Sequence, residues 1–192
     1  GIGYTLTDDY HFLSVGLEEN QLYGYYLTEW QGGAVKVLPG LKKLRYLLPF
    51  RMEQETIAYL EGAAERHPGG LATMGDDLEK FGAWPETHKH VYSDGWLRRF
   101  FEAVEEAGEW LAVSLPGEYV RRRPPLGRIY LPVASYQEMM GWSLPVGAGE
   151  GYEELLRRVG EMPEGDSLTR FVHGGSWHNF LRKYEEANHL HS

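Results

Sequence analysis

Met74-Gly75-Asp76-Asp77-Leu78-Glu79-Lys80-Phe81-Gly82-Ala83-Trp84-Pro85 crowds three carboxylates into four positions, directly after the short apolar run Leu71-Ala72-Thr73-Met74. Gly75 ahead of the acids and Gly82-Ala83-Trp84-Pro85 behind them break regular structure. Acids at the C-terminal end of a buried strand are where α/β enzymes place their chemistry. Like charges held close together favour keeping one of them protonated, which suits a general acid. A solvated acidic turn is the plainer account of an Asp-Asp pair. It leaves the Trp, the Phe and the two glycines around these acids unexplained.

Outward from this stretch, the chain has the composition of a globular protein. At 192 residues it can bury one good core, and 42% hydrophobic with 24% charged residues is ordinary for such a domain. The net charge is 19 − 28 = −9, which argues against a nucleic-acid backbone or an anionic membrane as partner. Thirteen Tyr and six Trp supply flat rings that stack on sugar faces or fill cores. With no Cys there is no disulfide and no thiol chemistry. No apolar run reaches the length of a membrane span and no leader pattern opens the chain, so the expected location is cytoplasmic. Nothing in the sequence signals an oligomeric state.

Periodicity assigns the elements. Gly3 to Leu6 is a short strand with polar Asp8-Asp9-Tyr10-His11 at its end, where either Asp is placed to cap the following turn. Gly24–Glu29 and Ala34–Leu38 flank Gln31-Gly32-Gly33 as a β-hairpin. Arg45, in Leu44–Phe50, is a candidate contact for a site carboxylate, with a surface Arg an equal alternative. Thr56, Tyr59, Leu60, Ala63 and Ala64 predict a helix over about Glu53–Glu65, ended by His67-Pro68-Gly69-Gly70. Ser93 or Asp94 is placed to cap a second helix whose Trp96, Leu97, Phe100, Phe101 and Val104 form a core face.

Leu111–Leu115 reads as a buried strand, Arg121-Arg122-Arg123-Pro124-Pro125 as a solvated basic turn, and Ile129–Ser135 as a further strand with Tyr136, Glu138, Met139 and Trp142 at its exit. Tyr152, Leu155, Leu156 and Val159 mark a third helix. Trp177, Phe180, Leu181 and Tyr184 mark a fourth after His173-Gly174-Gly175. Strands alternating with helices imply an α/β fold of parallel β/α units. Periodicity does not separate an open sheet from a barrel.

The acidic stretch also resembles the acid/base segment of glycoside hydrolase family 57, in particular its 4-α-glucanotransferase branch. Three further stretches agree, in the family's order: Tyr4-Thr5-Leu6-Thr7-Asp8-Asp9-Tyr10-His11-Phe12, Leu131-Pro132-Val133-Ala134-Ser135-Tyr136-Gln137-Glu138-Met139, and Gly174-Gly175-Ser176-Trp177-His178-Asn179-Phe180. The resemblance implies the C-terminal portion of an incomplete (β/α)7 barrel, with residues 1–192 a partial catalytic domain and the hairpin a decoration of the barrel. It implies activity on an α-1,4-glucan or maltooligosaccharide, as transfer when a sugar hydroxyl is the acceptor and as hydrolysis when water is. No cofactor and no metal is implied.

By the same resemblance Asp77 takes the acid/base place and Glu79 a sugar-binding place, with Asp76 the neighbour whose charge favours a protonated Asp77. Asp9, His11, Trp84, Tyr136, Glu138 and Trp177 fall at substrate-binding positions. Retaining glycosidases need a second carboxyl roughly 5–5.5 Å from the first. In the family this is a Glu in a Thr-Glu-Arg-type strand end ahead of the Tyr4–Phe12 stretch, and no such motif occurs here. The chain opens on Gly with a strand already under way and ends without a helix stop, so a fragment of a longer enzyme is expected, inactive alone. Leu78 stands where the family commonly has Gly, Gly141 where an acid is common, and Lys183-Tyr184 lacks a following Pro.

Two other readings compete. His88 with His90, His189 with His191, and the nearby His173 and His178 suggest a metal site, of which a metal-dependent polysaccharide deacetylase on a similar barrel is the concrete version. Metal analysis separates it from the first reading. The other is a carbohydrate-binding relative that keeps the cleft without the chemistry, decided by whether a Glu-bearing strand precedes these residues.

Overall fold

In the computed structural model, which describes residues 2–191, four strands form one sheet. They are β1 (Tyr4–Asp8), β2 (Tyr26–Trp30), β3 (Gly33–Gly40) and β4 (Gly127–Arg128), in the order β1-β3-β2-β4. The sheet's register is set at a two-residue turn. Gln31 and Gly32 have φ of 49° and 79°. Two successive left-handed residues make the primed turn whose twist matches that of the strands it joins. Pairing then runs antiparallel from Trp30↔Gly33 to Tyr26↔Val37. The hairpin is therefore the centre of the sheet, where a peripheral decoration was expected.

The helices, in chain order, are α1 (Tyr10–Leu13), α2 (Lys42–Leu47), α3 (Glu53–Arg66), α4 (Trp96–Glu106), α5 (Pro116–Arg122), α6 (Gln137–Trp142), α7 (Val146–Gly160), α8 (Gly165–Thr169), α9 (Asn179–Lys183) and α10 (Glu185–His191). The chain divides into two compact units. The first comprises residues up to Thr7 with Asn20–Arg128, and the second Asp8–Glu19 with the chain from Ile129 onward.

In the first unit Tyr25, Leu38 and Val120 form a core that Leu6, Leu27, Leu71 and Tyr119 extend, so the sheet packs on α5. The Tyr25 hydroxyl donates to the Arg123 carbonyl at 2.9 Å, which keeps its one polar atom satisfied as the ring is buried. On α4, Trp96 is fully buried and stacks on Phe100, with ring centroids 5.2 Å apart and planes within 4°. Its indole N–H donates to the Arg51 carbonyl at 2.7 Å. Arg99 on α4 then reaches Glu53, the first residue of α3, at 2.7 Å.

In the second unit Tyr10, Met140 and Tyr152 form a core with Leu144, Leu156 and Val172, joining α1, α6 and α7. The Tyr10 hydroxyl donates to the Val172 carbonyl at 2.9 Å. Burial, with the neighbouring Tyr152 adding to it, pushes the Tyr10 phenol up to about 12. Gly174 lies against Met140, whose carbonyl oxygen would be 2.7 Å from an added Cβ. Only glycine fits there.

Several expectations are corrected. Regular β/α alternation is absent. The hairpin pairing of β2 with β3 is antiparallel, while β2 pairs parallel with β4 and an isolated parallel bridge joins Gly40 to Thr73. Leu111–Leu115 and Ile129–Ser135 form no strand, and Val113, Leu115, Tyr130 and Val133 are exposed. An apolar run becomes a strand only where a neighbouring strand takes its backbone hydrogen bonds, and among the described residues no strand pairs with these runs. Helix α4 is entered through a π-helical turn at Lys89–Ser93 and a left-handed Gly95 (φ 73°), with neither Ser93 nor Asp94 supplying a side-chain cap. Phe101 on its expected core face is 54% exposed. The fourth predicted helix starts at Asn179, so Trp177 precedes it, and it stops at Tyr184 before α10. No helix among the described residues is long and apolar enough to cross a membrane.

The Glu53–Arg99 pair gives the first unit a measurable pH dependence. Burial alone raises the Glu53 carboxyl. Hydrogen bonds from Arg99, its own backbone N–H and Gln54, with the Arg99 charge, outweigh that and hold it below its ordinary value of 4.5. A depressed value in the fold means stabilisation that is complete above about pH 4.5 and fades as pH falls through the depressed value. Arg99→Met is expected to cost about 1.5–3 kcal/mol at pH 7, the scale of a hydrogen bond to a charged group. The difference from the parent chain should shrink once both carboxyls are protonated. Urea unfolding of the two chains at pH 7 and pH 3.5 checks this, and an equal deficit at both values would refute it.

Candidate active site

The acidic turn is pinned at its start by β-type pairing. Thr73 bridges Gly40 at the end of β3, and its carbonyl accepts the Leu41 N–H at 2.8 Å. Two residues past Met74 the chain meets a buried cation. The Lys80 side chain is 1% exposed, and its ammonium is paired with the Asp76 carboxylate. The same ammonium donates to the Arg45 carbonyl at 2.8 Å, near the C-terminus of α2. Carbonyls in the last turn of a helix lack intrahelical partners and carry its negative end, so they receive cations well. The Phe50 and Phe81 rings each lie 5.6 Å from the nitrogen, the range of a cation–π contact.

The far side of the turn is closed by backbone. The Glu79 carbonyl accepts N–H groups from Gly82, Ala83 and Trp84 at 3.3, 2.7 and 3.0 Å. Gly82 has φ 141°, and a Cβ there would come 2.8 Å from the Tyr92 ring. Thr87 anchors the exit through its hydroxyl, which donates to the Trp84 carbonyl at 2.7 Å.

Between these anchors sits Asp77, exposed, at the N-cap position of a 3-10 turn over Leu78–Phe81. Its N–H donates to the Asp76 carboxylate at 2.9 Å, and its own carboxylate makes no hydrogen bond or ion pair among the described residues. The regular strand expected to end here is reduced to the Thr73 bridge. Asp76 has a cation of its own. Its side chain is 15% exposed, the residue's exposure lying on its backbone, and its carboxylate is paired with Lys80. Glu79 is exposed on the same turn. Leu78, where the resemblance sets Gly, is 83% exposed and has no left-handed backbone to require one. Trp84, 41% exposed, stacks on Phe50 with centroids 6.0 Å apart and planes 16° apart. The first unit thus gathers Asp77, Glu79 and Trp84 on one turn.

The remaining candidates belong to the second unit. Asp8 accepts the Tyr10 N–H at 3.0 Å, while buried Asp9 caps α1 through its carbonyl, which accepts the Phe12 and Leu13 N–H groups. Both Asp residues therefore serve the turn. His11 has Nδ1 3.1 Å from the Asp8 carbonyl and Nε2 3.1 Å from the Ala134 carbonyl, so its ring links the α1 turn to the segment entering α6. Tyr136 occupies the N-cap of α6 and meets Trp142 edge-on at 6.2 Å, with Glu138 in the first turn of the same helix. Trp177 is about half exposed, its ring 4.1 Å from that of His178.

Sequence reasoning passed over Lys80 and Phe50. The signal for Lys80 was its place four residues after Asp76, the spacing of helical ion pairs. Phe50 carries no signal, because its partner is 34 positions away in the chain. Arg45 contributes its carbonyl to Lys80, and its guanidinium carbon lies 6.0 Å from the Tyr46 ring. Of the histidines, His90 contacts the Pro49 carbonyl at 2.8 Å and His88 packs on Tyr92. No group of three or more His, Asp or Glu side chains among the described residues is arranged to hold a metal ion.

Known proteins resemble this chain over its whole length. Residues 1–132 match the model of glycosyl hydrolase family 57. The chain is 46% identical over 192 residues to alpha-amylase 1 of Dictyoglomus thermophilum, covering 99% of this chain and 28% of that protein. It is 44% identical over 191 residues to an alpha-amylase of Pyrococcus horikoshii, covering 100% of this chain and 30% of the relative. The crystal structure of the 4-alpha-glucanotransferase from Thermococcus litoralis superposes with a TM-score of 0.90 at 43% identity, covering 100% of this chain and 30% of that one. The chain thus spans about 30% of the length of the curated relatives it matches. With its family model matched over 132 of 192 residues, the chain belongs to glycosyl hydrolase family 57.

Proposed function

We propose that this chain supplies the acid/base half of a retaining site acting on α-1,4-glucans, with Asp77 as the proton donor. One observation carries the reading: an exposed carboxylate without a protein partner stands on a turn fixed at both ends, and the same segment carries an exposed indole stacked on Phe50. A proton donor must stay open to the glycosidic oxygen while its backbone is held still. A flat aromatic face suits the apolar face of a glucose ring. Glu79 and Trp84 bind the sugar from the same turn. Asp9, His11, Tyr136, Glu138 and Trp177, carried by the second unit, are further sugar-binding residues in this reading.

Asp77 protonates the leaving oxygen as a second carboxylate attacks the anomeric carbon. It then deprotonates the acceptor, water in hydrolysis or a sugar hydroxyl in transfer. The attacking carboxylate comes from outside these residues, in the part of the relatives' length that this chain does not span. In the same reading the chain forms part of an incomplete (β/α)7 barrel.

The test places the 192-residue segment in a full-length family enzyme, in exchange for its counterpart. Asp77→Asn keeps the shape and removes the transferable proton, so turnover of ordinary glucans is expected to fall by about 10²–10⁴-fold or more. A substrate with an activated leaving group should still form the glycosyl-enzyme, which accumulates until azide releases it. Unchanged turnover in Asp77→Asn would reject the assignment.

The 192 residues alone, purified, are expected neither to cleave nor to transfer maltooligosaccharide. Sustained turnover by the isolated chain would show that the attacking carboxylate lies within it.

A further inference from the structure

We infer that Asp76 and Lys80 are positioning residues for the Asp77 carboxylate: the buried ion pair fixes the orientation of the peptide that carries the proton donor. This rests on the reading of Asp77 as acid/base. Burying an ammonium is costly, and a buried ion pair adds little net stability over an apolar pair of similar size. The four contacts of Lys80 do secure a geometry. Its nitrogen is tied to the Asp76 carboxylate and to the Arg45 carbonyl at the end of α2, between the faces of Phe50 and Phe81.

The Asp76 carboxylate divides its two oxygens. Oδ2 takes the Lys80 ammonium, and Oδ1 takes the backbone N–H of Asp77 itself at 2.9 Å. The peptide bond leading into Asp77 is thereby held by a carboxylate that is in turn held by α2. Helix α2, buried through Leu44 and Leu47, is the rigid element in this chain of contacts. Phe50 serves twice, since the ring beside the ammonium is also the one on which Trp84 stacks. Proton donor and sugar platform are thus referred to the same buried cation. Without it, Asp76 has no fixed partner, the peptide before Asp77 is free to turn, and the donor leaves its line to the glycosidic oxygen. A displacement near 1 Å costs about 10²-fold in rate.

The experiment uses the same full-length enzyme carrying this segment. Lys80→Met should lower kcat on ordinary glucans by about 10–10²-fold with KM nearly unchanged. On a substrate with an activated leaving group, formation of the glycosyl-enzyme should change less than threefold, because that step needs little protonation. A smaller folded fraction lowers both rates equally, so the ratio between the two substrates separates positioning from stability. Should Lys80→Met not fold, Asp76→Asn/Lys80→Met removes both buried charges and decides instead, with the same selective loss expected.

Asp77→Asn is measured in parallel. If it shows no selective loss, the acid/base assignment falls and this inference with it. If it shows the loss while the folded Lys80 variants slow both substrates equally, or neither, the positioning role is overturned and the assignment of Asp77 stands.

Discussion

A buried ammonium must be surrounded by acceptors, and the arrangement of the acidic turn follows from how Lys80 meets that demand. A lysine withdrawn from water is tolerated only with a full set of partners. Asp76 supplies the counter-charge, Arg45 a helix-end carbonyl, and Phe50 and Phe81 their ring faces. Each partner fixes something else in turn. Asp76 holds the N–H of Asp77, Arg45 ties the turn to α2, and Phe50 carries Trp84. Three carboxylates in four positions therefore have separate duties, with Asp76 structural and Asp77 and Glu79 left to solvent.

Two adjacent aspartates suggest mutual repulsion. Here the first is paired with a cation behind it, and the second faces outward.

The sheet shows a comparable dependence on partners. Its two central strands are joined by a two-residue turn and find each other locally. The apolar runs at Leu111–Leu115 and Ile129–Ser135 have good strand composition and no strand structure, since backbone pairing is a property of two segments and never of one. Composition gives a segment the capacity to pair. A neighbour alone makes it a strand.

What the residues determined by themselves is local: the Gln31-Gly32 turn, the helix over Glu53–Arg66 with its Pro-Gly stop, the helix around Tyr152, and the four short motifs whose resemblance pointed to the family. Each is written within a few adjacent positions, where periodicity and turn chemistry act directly. What only the tertiary structure decided is everything that joins distant positions. Arg45 reaches Lys80 across 35 residues and Glu53 reaches Arg99 across 46, while Phe50 lies beneath Trp84. The same limit explains why Phe101 turned outward and why Asp76 became a strut. Burial and ion pairing depend on which surfaces meet, and that is fixed by the packing of whole elements, which no short pattern in the chain specifies.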